Sequence, residues 1–236
     1  MLVMKPIFQN VPRGTYHNFG AVMTDDIIKA FQNAEIIFTR EQADRADKMI
    51  IFLQDYCNKV NLTAIRDREG IIDKHLVDSV LPLKYAEIGE GLRCLDIGTG
   101  AGFPAVPWLI YRPDLKFTLL DAQRKRTDYL SLLSKELGIK PEIIHGRAEE
   151  LGRKAGYKGG YDVVTARAVS DIPTLLKYAA PFLKSGGRFL AMRGSRDEMT
   201  DEVDKALKKL SLSLTSAKDY SLPCGDGRKL LVFEKE

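Results

Sequence analysis

Cysteine is scarce in this chain of 236 residues: Cys57, Cys94 and Cys224 are scattered and odd in number. That excludes a disulfide framework and leads us to expect a reducing, cytoplasmic setting. No CxxC pair or Cys/His cluster is present, so no structural metal is expected. The histidines His17, His75 and His145 are isolated in sequence and advertise no general base. Long apolar runs are absent too: none approaches the ~20 residues of a membrane span. The N-terminus lacks the charged start, apolar centre and small-residue cleavage site of a signal peptide. We find neither internal repeats nor low-complexity stretches. What is present is an ordinary globular composition, 44% hydrophobic and 29% charged, which excludes disordered and fibrous classes.

Charge is unevenly spread. The net charge of +4 divides into −2 over residues 1–91 and +6 over residues 92–236. A basic surface attracts polyanions such as RNA, although a soluble surface of this size carries a comparable excess without one.

Periodicity divides the chain into three. Residues 1–22, with Pro6, Pro12, Gly14 and Gly20, show no period and read as an irregular arm. Residues 23–90 read as a small all-helical unit. Thr24 suits an N-cap before two acids, and "TREQ" at Thr39 to Gln42 has capping-box spacing. Ala46, Met49, Ile50, Leu53, Cys57 and Val60 then form one stripe of an amphipathic helix. "NLTAIRD" breaks the period, and a further helical pattern runs from Glu69 to an end or kink at Pro82.

From residue 91 onward, strand-like and helical runs alternate at βαβ spacing, which predicts a parallel sheet with helices on both faces. The strand-like runs cover residues 92–98, 116–122, 142–147, 161–168 and 187–194. The last two runs, "LSLTSAKDYSL" and "KLLVFEKE", have only "PCGDGR" between them and should pair as an antiparallel hairpin at the sheet edge.

The first strand runs into "CLDIGTGAGFPA". A strand, a glycine-rich turn and a helix present backbone N–H groups at the C-terminal edge of a sheet. A P-loop would need a Lys-Ser/Thr pair after the glycines, and none follows. A dinucleotide fingerprint, GxGxxG, would need glycine at position 103, which is Phe103. The spacing of Gly98, Gly100 and Gly102 is GxGxG. Asp96, just before the loop, suits a cofactor with a positive end and no phosphate, and would sit poorly beside a pyrophosphate. S-adenosylmethionine meets that description. Asp121 ends the next strand, where a carboxylate accepts from both ribose hydroxyls of an adenosine in either cofactor. A reversed last strand is usual in methyltransferase sheets. A Rossmann-like α/β sheet binding S-adenosylmethionine is therefore the expected fold, with a nicotinamide oxidoreductase as the weaker alternative.

"DIGTGAGFPAVP", "FTLLDAQRKR", "HGRAEE", "VVTARAV" and "FLAMRG", in this order and preceded by "NLTAIRD" and "HLVDS", resemble the RsmG (GidB) family of methyltransferases. The resemblance runs from about residue 40 to residue 195. It implies transfer of a methyl group from S-adenosylmethionine to N7 of a guanine in 16S ribosomal RNA, with the RNA or the small ribosomal subunit as partner; a monomer is expected, although nothing in the sequence fixes the oligomeric state. Family positions for the cofactor fall on Gly98, Phe103, Asp121, Ala122, Gln123, Ala148, Glu149 and Arg167. One departure is Ala105, where the family usually has glycine. Guanine N7 carries a free lone pair, so alignment and desolvation suffice without a dedicated base.

Further candidates follow from position. Arg124, Lys125 and Arg126 start a helix beside the glycine loop. Their charge opposes the helix dipole there and calls for an offsetting partner, an RNA phosphate or an acid such as Asp128. Arg193 ends the fifth strand and, with Arg167, is the candidate for positioning the guanine. His75 and Asp78 share a helix face, either toward the site or in a helix-packing hydrogen bond. Asn61 reads as a turn organiser. A methyltransferase of another substrate and a non-catalytic cofactor-binding assembly factor remain as alternatives.

Overall fold

The computed structural model describes residues 16–57, 60–167, 170–195 and 200–236. Four helical elements come first: α1 (Tyr16–Asn33), α2 (Arg40–Cys57), α3 (Arg68–Ile71) and α4 (Asp78–Val80). A π-helical stretch, Ile72–Val77, joins α3 to α4, and a 3₁₀ turn, Leu81–Lys84, follows. The sheet region then runs β1 (Arg93–Ile97), α5 (Ala105–Tyr111), β2 (Lys116–Asp121), α6 (Arg124–Leu137), β3 (Glu142–His145), α7 (Ala148–Leu151), β4 (Tyr161–Arg167), α8 (Ile172–Ala179), β5 (Leu183–Gly194), α9 (Asp201–Leu210), β6 (Leu212–Ser221) and β7 (Gly227–Lys235).

Local signals explain several boundaries. The capping box is reciprocal: the Gln42 side chain accepts from Thr39 N at 2.8 Å and the Thr39 hydroxyl accepts from Gln42 N at 3.2 Å. Gly138 caps α6 in the left-handed region, the conformation glycine adopts without steric cost. Two expectations are corrected. Helix α1 begins at Tyr16, so residues 16–22 are helical rather than an irregular arm, and Thr24 lies inside the helix rather than at its cap. The prolines and Gly14 all precede Tyr16, and Gly20 alone is a cost of about 1 kcal/mol that a helix tolerates. The expected helix from Glu69 starts at Arg68, with the Asp67 side chain accepting from Gly70 N, and widens to π geometry at Ile72. Residues 1–15 of the expected arm and Ala168 of the expected fourth strand lie outside the described residues.

The seven strands form one sheet in the order β3-β2-β1-β4-β5-β7-β6. Strands β1 to β5 are parallel, and β7 runs antiparallel between β5 and β6. The expected α/β sheet with a terminal hairpin is present. Alternation decides the faces. Cys94, Leu119, Val163, Leu190 and Val232 join one buried cluster, and their neighbours Leu95, Leu120, Val164, Phe189 and Leu231 join the other. The first cluster also contains Phe31 and Leu53 of the helical segment and Trp108 of α5. Helical segment and sheet therefore share a core. Polar ties cross the same seam: Trp108 Nε1 donates to Ser79 O at 2.6 Å and Arg45 Nη2 donates to Leu137 O at 3.1 Å. Trp108 is fully buried, so its removal would cost about 3–5 kcal/mol.

Candidate active site

Strand order reverses between β1 and β4, because β1 is followed by β2 on one side and neighbours β4 on the other. Open α/β sheets bind ligands outside the C-terminal strand ends at such a point. The loop after β1 and Arg167, the last residue of β4, flank it.

Gly98, Gly100 and Gly102 all have positive φ, at 69°, 59° and 94°. Their reasons differ. A Cβ at Gly100 meets nothing closer than Gly98 O at 3.8 Å, so only the dihedral demands glycine. A Cβ at Gly102 would lie 2.8 Å from Val106 Cγ2 and 3.2 Å from Leu130 Cδ2, so glycine also lets the loop close onto α5 and α6. Ala105, the departure from the family pattern, has helical geometry as the first residue of α5 and needs no glycine.

Asp96 lies beneath this loop, with no exposed surface. Thr165 Oγ1 donates to its Oδ1 at 3.0 Å, while Oδ2 is buried without a partner. Burial pushes its carboxyl up to about 7. It is thus an acid below the loop rather than on its surface. Asp121 is 2% exposed and ties three elements together. Gly100 N donates to its Oδ2 at 3.0 Å, Gln123 N to its Oδ1 at 2.8 Å, and Arg126 Nη1 to its Oδ2 at 3.3 Å. Ala122 and Gln123 are exposed beside it. Strand β3 pairs with β2 and places His145 opposite Asp121, so α7 starts nearby with Ala148 buried and Glu149 exposed. The Tyr178 hydroxyl bonds Glu149, which raises the Tyr178 pKa. The structure brings all these cofactor candidates to one sheet edge.

The basic triplet is divided. Arg124 pairs with Asp128 at 3.4 Å, one turn along α6, and Lys125 is exposed. Arg126 turns inward to Asp121. Asp128 is thus one offset of the helix-end charge, and Asp121 a second.

Beside the loop lies a cleft of about 430 Å³, lined among others by Lys74, His75, Asp78, Arg167, Arg193 and Arg228. Phe103 joins loop to cleft: its ring stacks on His75 with centroids 4.6 Å apart, and the Arg167 guanidinium lies 5.2 Å from its centre. Asp78, 5% exposed, accepts from Arg167 Nη1 at 3.3 Å and from Arg228 Nε at 3.1 Å on each oxygen. Arg167 also donates to Lys74 O and meets His75 Nδ1, both at 3.1 Å. His75 Nδ1 thus stands between two opposed partners, the Arg167 guanidinium, which only donates, and Lys74 O at 2.9 Å, which only accepts, while Nε2 lies 2.8 Å from Thr63 Oγ1. Burial first, then the Arg167 charge, holds the imidazole pKa down at about 4. His75 and Asp78 thus face the site and also make the inter-element bonds that a packing role requires. Arg193 lines the cleft and donates to Ser170 O.

Sequence reasoning missed Lys74, Asp226 and Arg228. The signal for Arg228 was present, because reversing the last strand brings its first residues, not its last, to the ligand edge. Arg228 pairs with Gly194 at the end of β5.

The chemistry of the donor set fits S-adenosylmethionine. Asp121 offers a carboxylate for a ribose diol, Asp96 an orphan oxygen below the loop, and the glycines an open backbone. The two carboxylates would oppose a pyrophosphate at the same place. Among the described residues, no group of three His, Cys, Asp or Glu is arranged to hold a metal, and no helix is long and apolar enough to cross a membrane.

Comparison with known proteins agrees with this geometry. The family model described as rRNA small subunit methyltransferase G (GidB) matches residues 42–231. A protein named ribosomal RNA small subunit methyltransferase G from Streptococcus equi subsp. zooepidemicus is 40% identical over 210 residues, covering 88% of this chain and 89% of its own. One of the same name from Caldanaerobacter subterraneus subsp. tengcongensis is 41% identical over 192 residues, 80% of each chain. Among solved structures, a methyltransferase from Pyrococcus furiosus superposes with a TM-score of 0.56 at 17% identity, covering 82% of this chain and 98% of that one. That likeness shows the fold alone. With its family signature spanning helical segment, glycine loop and terminal hairpin alike, the chain belongs to the rRNA small subunit methyltransferase G (GidB) family.

Proposed function

We propose that this chain transfers a methyl group from S-adenosylmethionine to N7 of a guanine in 16S ribosomal RNA, acting in the cytoplasm as a monomer on the RNA or the small subunit. One observation carries the reading: Phe103 ends the glycine loop and packs against His75 and Arg167 of a basic cleft, so a cofactor site and an anion-attracting site share one residue.

When bound, S-adenosylmethionine supplies an electrophilic methyl group on a sulfonium. The rest is work for the chain's own groups. Asp121 holds the ribose, and Ala122, Gln123, Ala148 and Glu149 flank the adenine side. Asp96 places a buried carboxyl beneath the loop. Arg167 and Arg193 orient the guanine and its strand, with Asp78 fixing Arg167. No side chain needs to take a proton, because N7 attacks with a free lone pair. His75 is consistent with that. Both its ring nitrogens already have partners within the chain, Nδ1 at Arg167 and Lys74 O and Nε2 at Thr63 Oγ1, and its pKa is held at about 4, so it orients and does not act as a base. Catalysis then rests on alignment and exclusion of water.

The test is transfer of labelled methyl to naked 16S RNA and to small subunits, both from cells lacking this protein, followed by nuclease digestion. Label in 7-methylguanosine is the expected result. Cofactor binding without label on either substrate would overturn the reading in favour of another substrate or a non-catalytic assembly role.

A further inference from the structure

The cleft holds a convergence that methyl transfer itself does not require. Lys74, from the π-helical stretch, and Arg228, from the start of β7, approach the same oxygen of Asp226 in the β6–β7 turn. Lys74 Nζ is 3.1 Å and Arg228 Nη2 is 3.6 Å from Asp226 Oδ2. Arg228 is fixed from behind, its Nε bonded to both oxygens of the buried Asp78 and its Nη1 donating to Gly227 O at 3.0 Å. Only the Nη2 corner points toward Asp226, and 3.6 Å is beyond a good hydrogen bond. The front of the pair is wet: the Lys74 side chain is 40% exposed and that of Asp226 is 39% exposed. Two cations from distant parts of the chain thus meet over the ligand edge of the sheet at a position that takes an anionic oxygen, filled by a side chain that is close to Lys74 but loosely held by Arg228.

We propose that Lys74 and Arg228 form a phosphate subsite for the RNA strand that carries the target guanine, with Asp226 holding the pair in the RNA-free state and yielding its place to a phosphate oxygen. The proposal rests on the RNA reading above. An ammonium and an anchored guanidinium are the donors that a phosphate recognises. The subsite lines the same cleft as His75 and Arg167, the two groups packed on Phe103, so a phosphate held there belongs to the strand entering beside the cofactor loop.

The experiment is equilibrium binding of naked 16S RNA over a range of potassium chloride concentrations, for the wild type, Lys74→Ala and Asp226→Asn, with S-adenosylmethionine affinity measured alongside. Both substituted side chains are at the surface, so folding is not at stake. Lys74→Ala should weaken RNA binding and lower the log–log salt slope by about 0.7–0.9, the value of one phosphate contact, with cofactor affinity unchanged. Asp226→Asn should tighten RNA binding about two- to fivefold at low salt, the worth of an exposed ion pair. A wild type that binds RNA while Lys74→Ala keeps its slope, or Asp226→Asn binds more weakly, overturns the subsite alone. A wild type that binds no RNA overturns the RNA reading and the subsite with it.

Discussion

The Asp121 carboxylate accepts the Gly100 amide at 3.0 Å, tethering the glycine loop to the end of β2. One side chain therefore shapes the loop and is also the proposed ribose acceptor. Asp121→Ala should weaken S-adenosylmethionine binding by about 10- to 100-fold, the value of hydrogen bonds to a charged group. Asp121→Asn keeps an oxygen for Gly100 and should lose less. Titration calorimetry on both variants decides it; unchanged affinity in the alanine variant excludes the ribose role.

The glycines of the loop should not be equivalent. Gly100→Ala meets open space and carries only the strain of a φ of 59°, about 1 kcal/mol. Gly102→Ala adds a 2.8 Å contact with Val106 to a φ of 94° and should cost about 2–4 kcal/mol. Urea denaturation of the two variants gives the ranking. Equal losses would mean that the loop shifts freely away from α5.

Asp96 and His75 should pull the pH profile of stability in opposite directions. Burial raises Asp96 to about 7, so its protonated form is favoured in the folded chain. That contribution is complete below the ordinary aspartate pKa and fades as pH rises to about 7. His75 is held neutral, down at about 4. Its contribution is complete above the ordinary histidine pKa and fades as pH falls toward 4. Each is worth about 3–4 kcal/mol, so between pH 4 and 7 they largely offset one another. Asp96→Asn should leave a chain that loses stability on acidification, and His75→Gln one that loses it as pH rises. Chemical denaturation at pH 5, 6 and 7 tests both, and profiles parallel to the wild type would refute the pairing.

Arg193 stands at the end of β5 in the cleft, not at the cofactor loop. Arg193→Glu should cut RNA methylation by at least about tenfold, from lost attraction and new repulsion, while cofactor affinity stays within about twofold. Equal losses in both would count against an RNA role.

Much of the architecture was legible because burial imposes a period. The stripe of α2 follows from having one face to cover, and the continuous apolar runs of β1, β2 and β4 from having two. Gly138 marked the end of α6 because a left-handed cap favours glycine. The site was legible where chemistry requires a residue type: the glycines at positive φ and Asp121. Less visible was what depends on long-range meeting. Lys74 and Arg228 are ordinary surface residues until the reversed strand and the π turn bring them to one carboxylate. The π turn itself has no periodic signature, because Ile72 and Leu76 suit either helix. The start of α1 is hidden in the sequence because Gly20 has the look of a breaker in a stretch without a period.

The core shared by the helical segment and the sheet bears on how the chain can be divided. Cutting near residue 90 would strip Phe31 and Leu53 from the cluster that holds Trp108, Phe117 and Tyr129. The released sheet half would carry a large greasy flank and would tend to aggregate rather than work alone. The two halves should melt together in a single transition. The proposed entry of a guanine into the cleft between them would then need the base to be unstacked from its own strand rather than the halves to part.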